Sequence, residues 1–129
     1  MLGSRITAVL ALTALLAGCG GDALAPFEPQ VNNNVDSFEL QATGVTTTTT
    51  SGSYTWQNTG TQATINHSTV TSAGTAHLVI RDAMGTVVYD ADLVPSLNEP
   101  TAAGVAGNWQ VRVTLTNYTG TINFRAEKL

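Results

Sequence analysis

Apolar and polar residues alternate with a period of two along most of the chain after residue 36. The clearest segment is NWQVRVTLTN, where Trp109, Val111, Val113 and Leu115 share one face and polar residues occupy the other. Such a period places successive side chains on opposite faces of a β-strand. The same pattern occurs in SFELQAT, SYTWQN, QATINHS, GTAHLVIR, TVVYDA and TINFRAE. Each segment is therefore predicted to be a strand with one buried face.

Residues typical of turns separate these segments, and no helical period lies between them. Asp82–Gly85 and Asn117–Gly120 are predicted turns, because Asp and Asn favour the start of a turn and Gly its end. Short alternating strands joined by such turns favour two antiparallel sheets packed face to face. We predict an all-β chain, an antiparallel β-sandwich of jelly-roll or immunoglobulin-like type with about seven to eight strands.

The first residues have the pattern of an export signal. One positive charge, Arg5, precedes an apolar and threonine run from Ile6 to Leu16. That run is shorter than the ~20 residues that a membrane-spanning helix needs, and small residues follow it, as at a signal-peptidase site. We therefore expect residues 1–18 to be a signal peptide.

Leu16-Ala17-Gly18-Cys19 resembles the lipobox of bacterial lipoproteins, and Cys19 is the single cysteine of the chain. The resemblance implies that Cys19 receives a diacylglycerol and that signal peptidase II cuts between Gly18 and Cys19. Two or three acyl chains make a durable anchor, since each buried methylene contributes about 0.8 kcal/mol. The chain is therefore expected at the bacterial envelope. By resemblance to the sorting rule of enteric bacteria, Gly20 favours the outer membrane.

Composition sets the remaining boundaries. Residues 19–34 are rich in Gly, Pro and Asn and lack a period, so we predict the lipidated Cys and a flexible linker there. Residues 35–129 are the predicted sandwich domain.

After residue 18 the chain has four basic and nine acidic residues, a net charge of −5 (4 − 9). Because it has no basic cluster, nucleic acid is not an expected partner.

The C-terminal half carries a second resemblance. HLVIRDAMGTVVYD, then Gly107-Asn108-Trp109 and Gly120-Thr121-Ile122-Asn123-Phe124, are similar to the pre-peptidase C-terminal domain and the P-domain of proprotein convertases. The likeness covers roughly residues 74–127. It implies a small β-sandwich module that assists folding, substrate contact or localisation and is not itself a catalyst.

Candidate chemistry is sparse. His67 and His77 are the only histidines, both on predicted strands, and no hydrolase or paired-carboxylate motif accompanies them. Asp82, Asp90 and Asp92 bracket the predicted strand after the Asp82 turn and are a candidate calcium site, because calcium prefers oxygen ligands. Asp82 has a second explanation as the residue that starts the turn. No other cofactor is expected.

Two aromatic residues are candidate ligand contacts. Tyr118 lies in a predicted turn and is expected to be exposed, so it is a candidate for stacking on a sugar ring. Trp56 shares a face with Tyr54 and is either a glycan contact or part of the core, whereas Trp109 is expected in the core. The favoured function is a non-enzymatic envelope lipoprotein whose sandwich contacts another protein or has a structural role. The alternative is a membrane-tethered carbohydrate- or calcium-binding module.

Overall fold

A computed structural model of the chain describes Leu24, Phe27 and residues 29–129. The described residues form seven antiparallel strands and no α-helix. None of them belongs to a helix long and apolar enough to cross a membrane. The strands are β1 (Gln30–Asn34), β2 (Ser37–Asn58), β3 (Ala63–His67), β4 (Val70–Arg81), β5 (Val87–Asp92), β6 (Leu97–Pro100) and β7 (Gly107–Lys128). The predicted all-β fold is confirmed, including the number of strands.

Two long strands, β2 and β7, form the centre of the fold and pair with each other from Ser37↔Glu127 to Asn58↔Gly107. Because both strands bend in the middle, each contributes to two layers. One layer has the order β1-β2-β7-β3-β6 and uses residues 37–42 of β2 and 122–128 of β7. The other has the order β2-β7-β4-β5 and uses residues 50–58 of β2 and 107–116 of β7.

The bend, which we call the corner, is a band of backbone irregularities in three neighbouring strands. Register shifts interrupt β2 between Ala42 and Thr50 and β4 between Thr71 and Thr75, at the level of residues 116–120 of β7. Positive φ angles occur in all three segments, at Gly44, Thr47, Gly74, Asn117 and Gly120. Bulges of this kind bend a strand and increase its twist, so the sheet folds over and buries its own inner face.

The inner faces of the two layers supply one core. Trp56 and Trp109 lie opposite each other in the register, with ring centroids 5.9 Å apart in an edge-to-face arrangement. Their indole N–H groups donate to the carbonyls of Asn34 and Val105 respectively. Burial of each such side chain contributes roughly 1.5–3 kcal/mol or more. The largest fully buried side chains are Trp56, Trp109, Tyr118, Phe38, Phe124, Leu24, Leu40, Ile65, Leu78, Ile80, Leu115 and Ile122.

The predicted flexible linker over 19–34 is wrong for its last residues. Gln30–Asn34 form β1, which pairs with residues 37–41 of β2 through a tight turn at Val35 and Asp36. Leu24 is also buried in the core. The prediction failed because β1 is held by backbone pairing and by Asn33, whose amide donates to the Thr55 carbonyl, and only Val31 gives it an apolar contact with the core.

The predicted turn at Asn117–Gly120 is also wrong. Backbone pairing continues through it, with Tyr118 opposite Thr48 and Gly120 opposite Val45 and Thr71. The turn-forming residues Asn117 and Gly120 instead supply the positive φ angles of the corner. The predicted turn at Asp82–Gly85 is confirmed, since the Gly85 N–H donates to the Asp82 carbonyl over 3.0 Å.

Candidate functional site

Residues 70–75, the first part of β4, arch away from residues 93–95, which follow β5. The Leu93 N–H donates to the Ala76 carbonyl (2.8 Å), and the Thr69 N–H donates to the Val94 carbonyl (3.0 Å). The neighbouring residues Leu93 and Val94 thus hold the two ends of the segment Thr69–Ala76. Its ends are seven residues apart in sequence and would lie about 23 Å apart if the segment were fully extended, at about 3.3 Å per residue. Residues 70–75 must therefore bow outward, and the bulges of β4 and Gly74 allow this.

A cleft of about 320 Å³ lies between this arch and the segment Asp92–Pro95; we call it the corner cleft. Its volume is at the lower end of the ~300–1,000 Å³ range of ligand pockets. On one side residues 70–75 pair with β7, and in the described part of the chain no strand pairs with their other edge. The cleft is lined by Thr71, Gly74, Thr75, Ala76, Asp92, Leu93, Val94 and Pro95.

His77 lies beside the cleft and contacts two carboxylates of β5. Its Nδ1 is 2.6 Å from the Asp92 Oδ1, and its Nε2 is 2.5 Å from the Asp90 Oδ1. These two contacts, led by the Asp92 hydrogen bond, raise the pKa of His77 against the opposing effect of partial burial. In its protonated form His77 donates from both nitrogens and balances one of the two carboxylates.

His67 lies in the core on the other side of the cleft wall. Its Nδ1 accepts from the Val94 N–H over 3.2 Å, so we assign the proton to Nε2. The Nε2–H then donates to the Tyr89 hydroxyl (2.6 Å), which donates to the Glu99 carboxylate (2.7 Å). Burial lowers the pKa of His67 and, together with Glu99, raises the pKa of Tyr89.

The two histidines therefore fix the same wall of the corner cleft. His77 contacts Asp92 at one end of the segment, and His67 contacts Val94 two residues later. Backbone hydrogen bonds to Ala76 and Thr69 hold the intervening peptide. A segment with four such attachments is pre-organised, which reduces the ordering cost of binding. Both ring nitrogens of each histidine thus have a hydrogen-bond partner within the chain.

The two aromatic residues predicted as candidate ligand contacts are both buried. The predicted exposure of Tyr118 is wrong, and of the two alternatives for Trp56 the core position is confirmed. Trp56 has no exposed surface, because it packs on Trp109 between the layers. Tyr118 is equally buried at the corner, where its hydroxyl donates to the Val70 carbonyl (3.2 Å) and accepts from the Thr71 hydroxyl (3.3 Å). Neither ring presents a face for stacking on a sugar.

The three aspartates predicted as a calcium site occupy two places. Asp90 and Asp92 contact His77, whereas Asp82 lies at the opposite end of the β4–β5 hairpin. Asp82 accepts from the backbone N–H groups of Met84, Thr86 and Val105, and these bonds, that of Thr86 first, lower its pKa. Over residues 29–129, no group of three or more His, Cys, Asp or Glu side chains is arranged to hold a metal ion.

The sequence prediction included Asp92 but missed the rest of the corner cleft. The arch of residues 70–75 and the segment Leu93–Pro95 carry no recognisable motif, and Gly74 and Pro95 are their only sequence signals. The predicted lipidation site, Cys19 with Gly18, lies outside the described residues.

No protein family matches the chain, and no curated protein matches it in sequence. The resemblances to bacterial lipoproteins and to pre-peptidase C-terminal and P-domain modules therefore stay predictions.

Proposed function

We propose that the chain is a non-enzymatic lipoprotein of the bacterial envelope, anchored through acyl chains on Cys19, that binds a partner protein at the corner cleft. The observation that carries the binding role is the edge of β4 over residues 70–75, which has no strand partner in the described chain and borders a cleft. Unpaired sheet edges are common sites of protein contact. The lipobox resemblance supports the anchor.

Two further observations favour a protein partner over the alternatives. Trp56 and Tyr118 are buried, which removes the predicted aromatic platform for a glycan. Both nitrogens of His77 and both nitrogens of His67 have partners, which argues against use of either as a free general base. The proposed location is the outer membrane, on the strength of Gly20 after the lipidated cysteine.

The anchor is tested by replacing Cys19 with Ala and following the protein through fractionation of the envelope. The wild-type chain should sediment with membranes, and the C19A chain should be released because it carries no acyl chain. A C19A chain that stays with the membranes as firmly as the wild type contradicts the lipid anchor.

The binding role is tested by photo-cross-linking in intact cells. A photoreactive residue at Pro95, in the cleft wall, should yield a discrete adduct with another protein. The matched control places the same residue at Ala103, which is exposed in the loop before β7. Equal labelling from both positions, or no adduct from Pro95, contradicts a protein-binding role for the corner cleft.

A further inference from the structure

The corner cleft carries uncompensated negative charge. Asp92 lines it and Asp90 lies next to it on β5, with side chains 61% and 59% exposed. One protonated His77 balances one of these two charges. The two arginines of the same layer are directed elsewhere: Arg112 donates to the Ser51 hydroxyl and Arg81 to the Gly85 carbonyl. Among the described residues, His77 is the one basic side chain that contacts these two carboxylates.

The walls of the cleft are apolar below this charge. Ala76 and Leu93 are buried, and Val94 and Pro95 complete the apolar lining. Thr75 adds a hydroxyl that makes no hydrogen bond within the described chain. An occupant that fits an apolar wall with carboxylates at its rim has an apolar stem and a cationic head. Among protein side chains, lysine and arginine have this build, since their methylene stems pack on apolar surface while the head stays at the polar rim.

We infer that the corner cleft receives a lysine or arginine side chain of the partner protein, with its stem against Val94 and Pro95 and its cationic head at Asp92. This inference rests on the proposed protein-binding function and names the chemistry of the partner. The small volume of the cleft suits one side chain, and the negative net charge of the chain after residue 18 favours the approach of a basic surface.

The inference is tested by NMR titration of the ¹⁵N-labelled chain from Gly20 to Leu129, which contains every described residue. The probes are N-acetyl-arginine amide and N-acetyl-lysine amide, with N-acetyl-glutamine amide as the uncharged control. Saturable shifts should be confined to residues 71–76 and 92–95, and the glutamine probe should bind more weakly by roughly two- to fivefold, as expected for an exposed ion pair of up to about 1 kcal/mol.

Two variants separate charge from shape. Asp92→Asn should weaken the basic probes by the same roughly two- to fivefold factor, while Glu127→Gln, an exposed carboxylate on the other layer, should leave their affinity unchanged. Thr75→Trp should fill the cleft and abolish the shifts without changing any charge. The ¹⁵N spectrum of each variant shows whether it is folded before titration.

Three results overturn the inference: shifts spread over all exposed carboxylates, equal affinity for the glutamine probe, or concentration-dependent pairing of two copies through residues 70–75. The outcome is separable from that of the cross-linking experiment. An adduct at Pro95 together with no preference for basic probes retains the protein-binding function and removes the basic partner group. No adduct at Pro95 removes the binding function itself.

Discussion

At the scale of single residues, the two histidines have opposite environments, although both contact the segment from Asp92 to Val94. His77 is half-exposed between the carboxylates of Asp90 and Asp92, which raises its pKa. His67 is buried, which lowers its pKa, and the one charge that acts in the other direction is that of Glu99 beyond Tyr89. Because the chain has no other histidine, each titration can be followed without interference.

We expect the NMR titration midpoint of His77 to lie above the ordinary value of about 6.5 and that of His67 below it. The stabilising contribution of His77 should be fully present below pH ~6.5 and lost as pH rises through its raised pKa. His67 acts in the opposite sense: below pH ~6.5 the unfolded chain binds its proton first, so the native state loses stability as pH falls. Midpoints in the reverse order contradict the assigned environments.

The hydroxyl of Tyr89, on β5 of one layer, links His67 on β3 to Glu99 on β6 in the other layer. Tyr89→Phe removes that hydroxyl and leaves the buried Nε2–H of His67 without an acceptor. The free energy of unfolding, measured in urea, should fall by about 1–3 kcal/mol. The matched variant Glu99→Gln keeps an acceptor for the hydroxyl and should cost less. A Y89F chain as stable as the wild type contradicts the network.

At the scale of elements, the corner depends on glycine at one position of close approach. Gly74 has φ +72°, and a β-carbon there would lie 2.1 Å from the Asn117 carbonyl oxygen and 2.3 Å from that of Thr116. Both contacts are to the backbone of β7, which cannot move without disturbing the central pair of strands. Gly44, on the β2 side of the corner, has a similar φ of +67° but open space around it.

Gly74→Ala and Gly44→Ala thus form a matched pair of substitutions. Both introduce the strain of a left-handed backbone, about 1–3 kcal/mol, and only Gly74→Ala adds the collision with β7. We expect G74A to lower the free energy of unfolding clearly more than G44A, and to perturb the ¹⁵N shifts of the cleft residues 71–76. Equal losses for the two variants contradict the tight packing of β4 on β7 at the corner.

At the scale of the whole molecule, the sandwich extends beyond the boundary that the sequence pattern predicts. β1 caps the core, because the Asn34 carbonyl accepts from the Trp56 indole and the Asn33 amide donates to Thr55. β1 is mostly exposed, and four of its five residues are Gln or Asn. Its sequence therefore lacks the alternation of apolar and polar residues from which the other strands were predicted.

A chain beginning at Val35 should therefore be less stable than one beginning at Gly20. It loses β1, the acceptor of the buried Trp56 N–H, and the buried Leu24 side chain. We expect a loss of several kcal/mol in the free energy of unfolding, since an unsatisfied buried donor costs about 1–3 kcal/mol and a buried Leu side chain contributes about 1.5–3 kcal/mol. Chemical denaturation followed by tryptophan fluorescence measures the difference, and coincident curves for the two chains contradict this account of β1.

The strands and the core were predictable, because the period of two in β7 reports directly which side chains are buried; Trp109, Val111, Val113 and Leu115 are all in the core. The corner was not, because Asn117 and Gly120 have the same local preference in a turn and in a bulge, and only pairing with β2 and β4 decides between them. The contact of Asp92 with His77 depends on a bulge beside Ile80 that shifts the hairpin register, and no local signal specifies it.

The pairing of β2 with β7 also determines when this molecule can fold. Ser37, at the start of β2, pairs with Glu127, at the end of β7, so the central ladder joins residues that are far apart along the chain. Proteins dominated by such non-local contacts fold in milliseconds to seconds, because loop-closure entropy is lost before the contacts that offset it are made. Until residues 107–128 have emerged from the ribosome, both layers lack their central strand. The chain is therefore kept open during synthesis by its own topology.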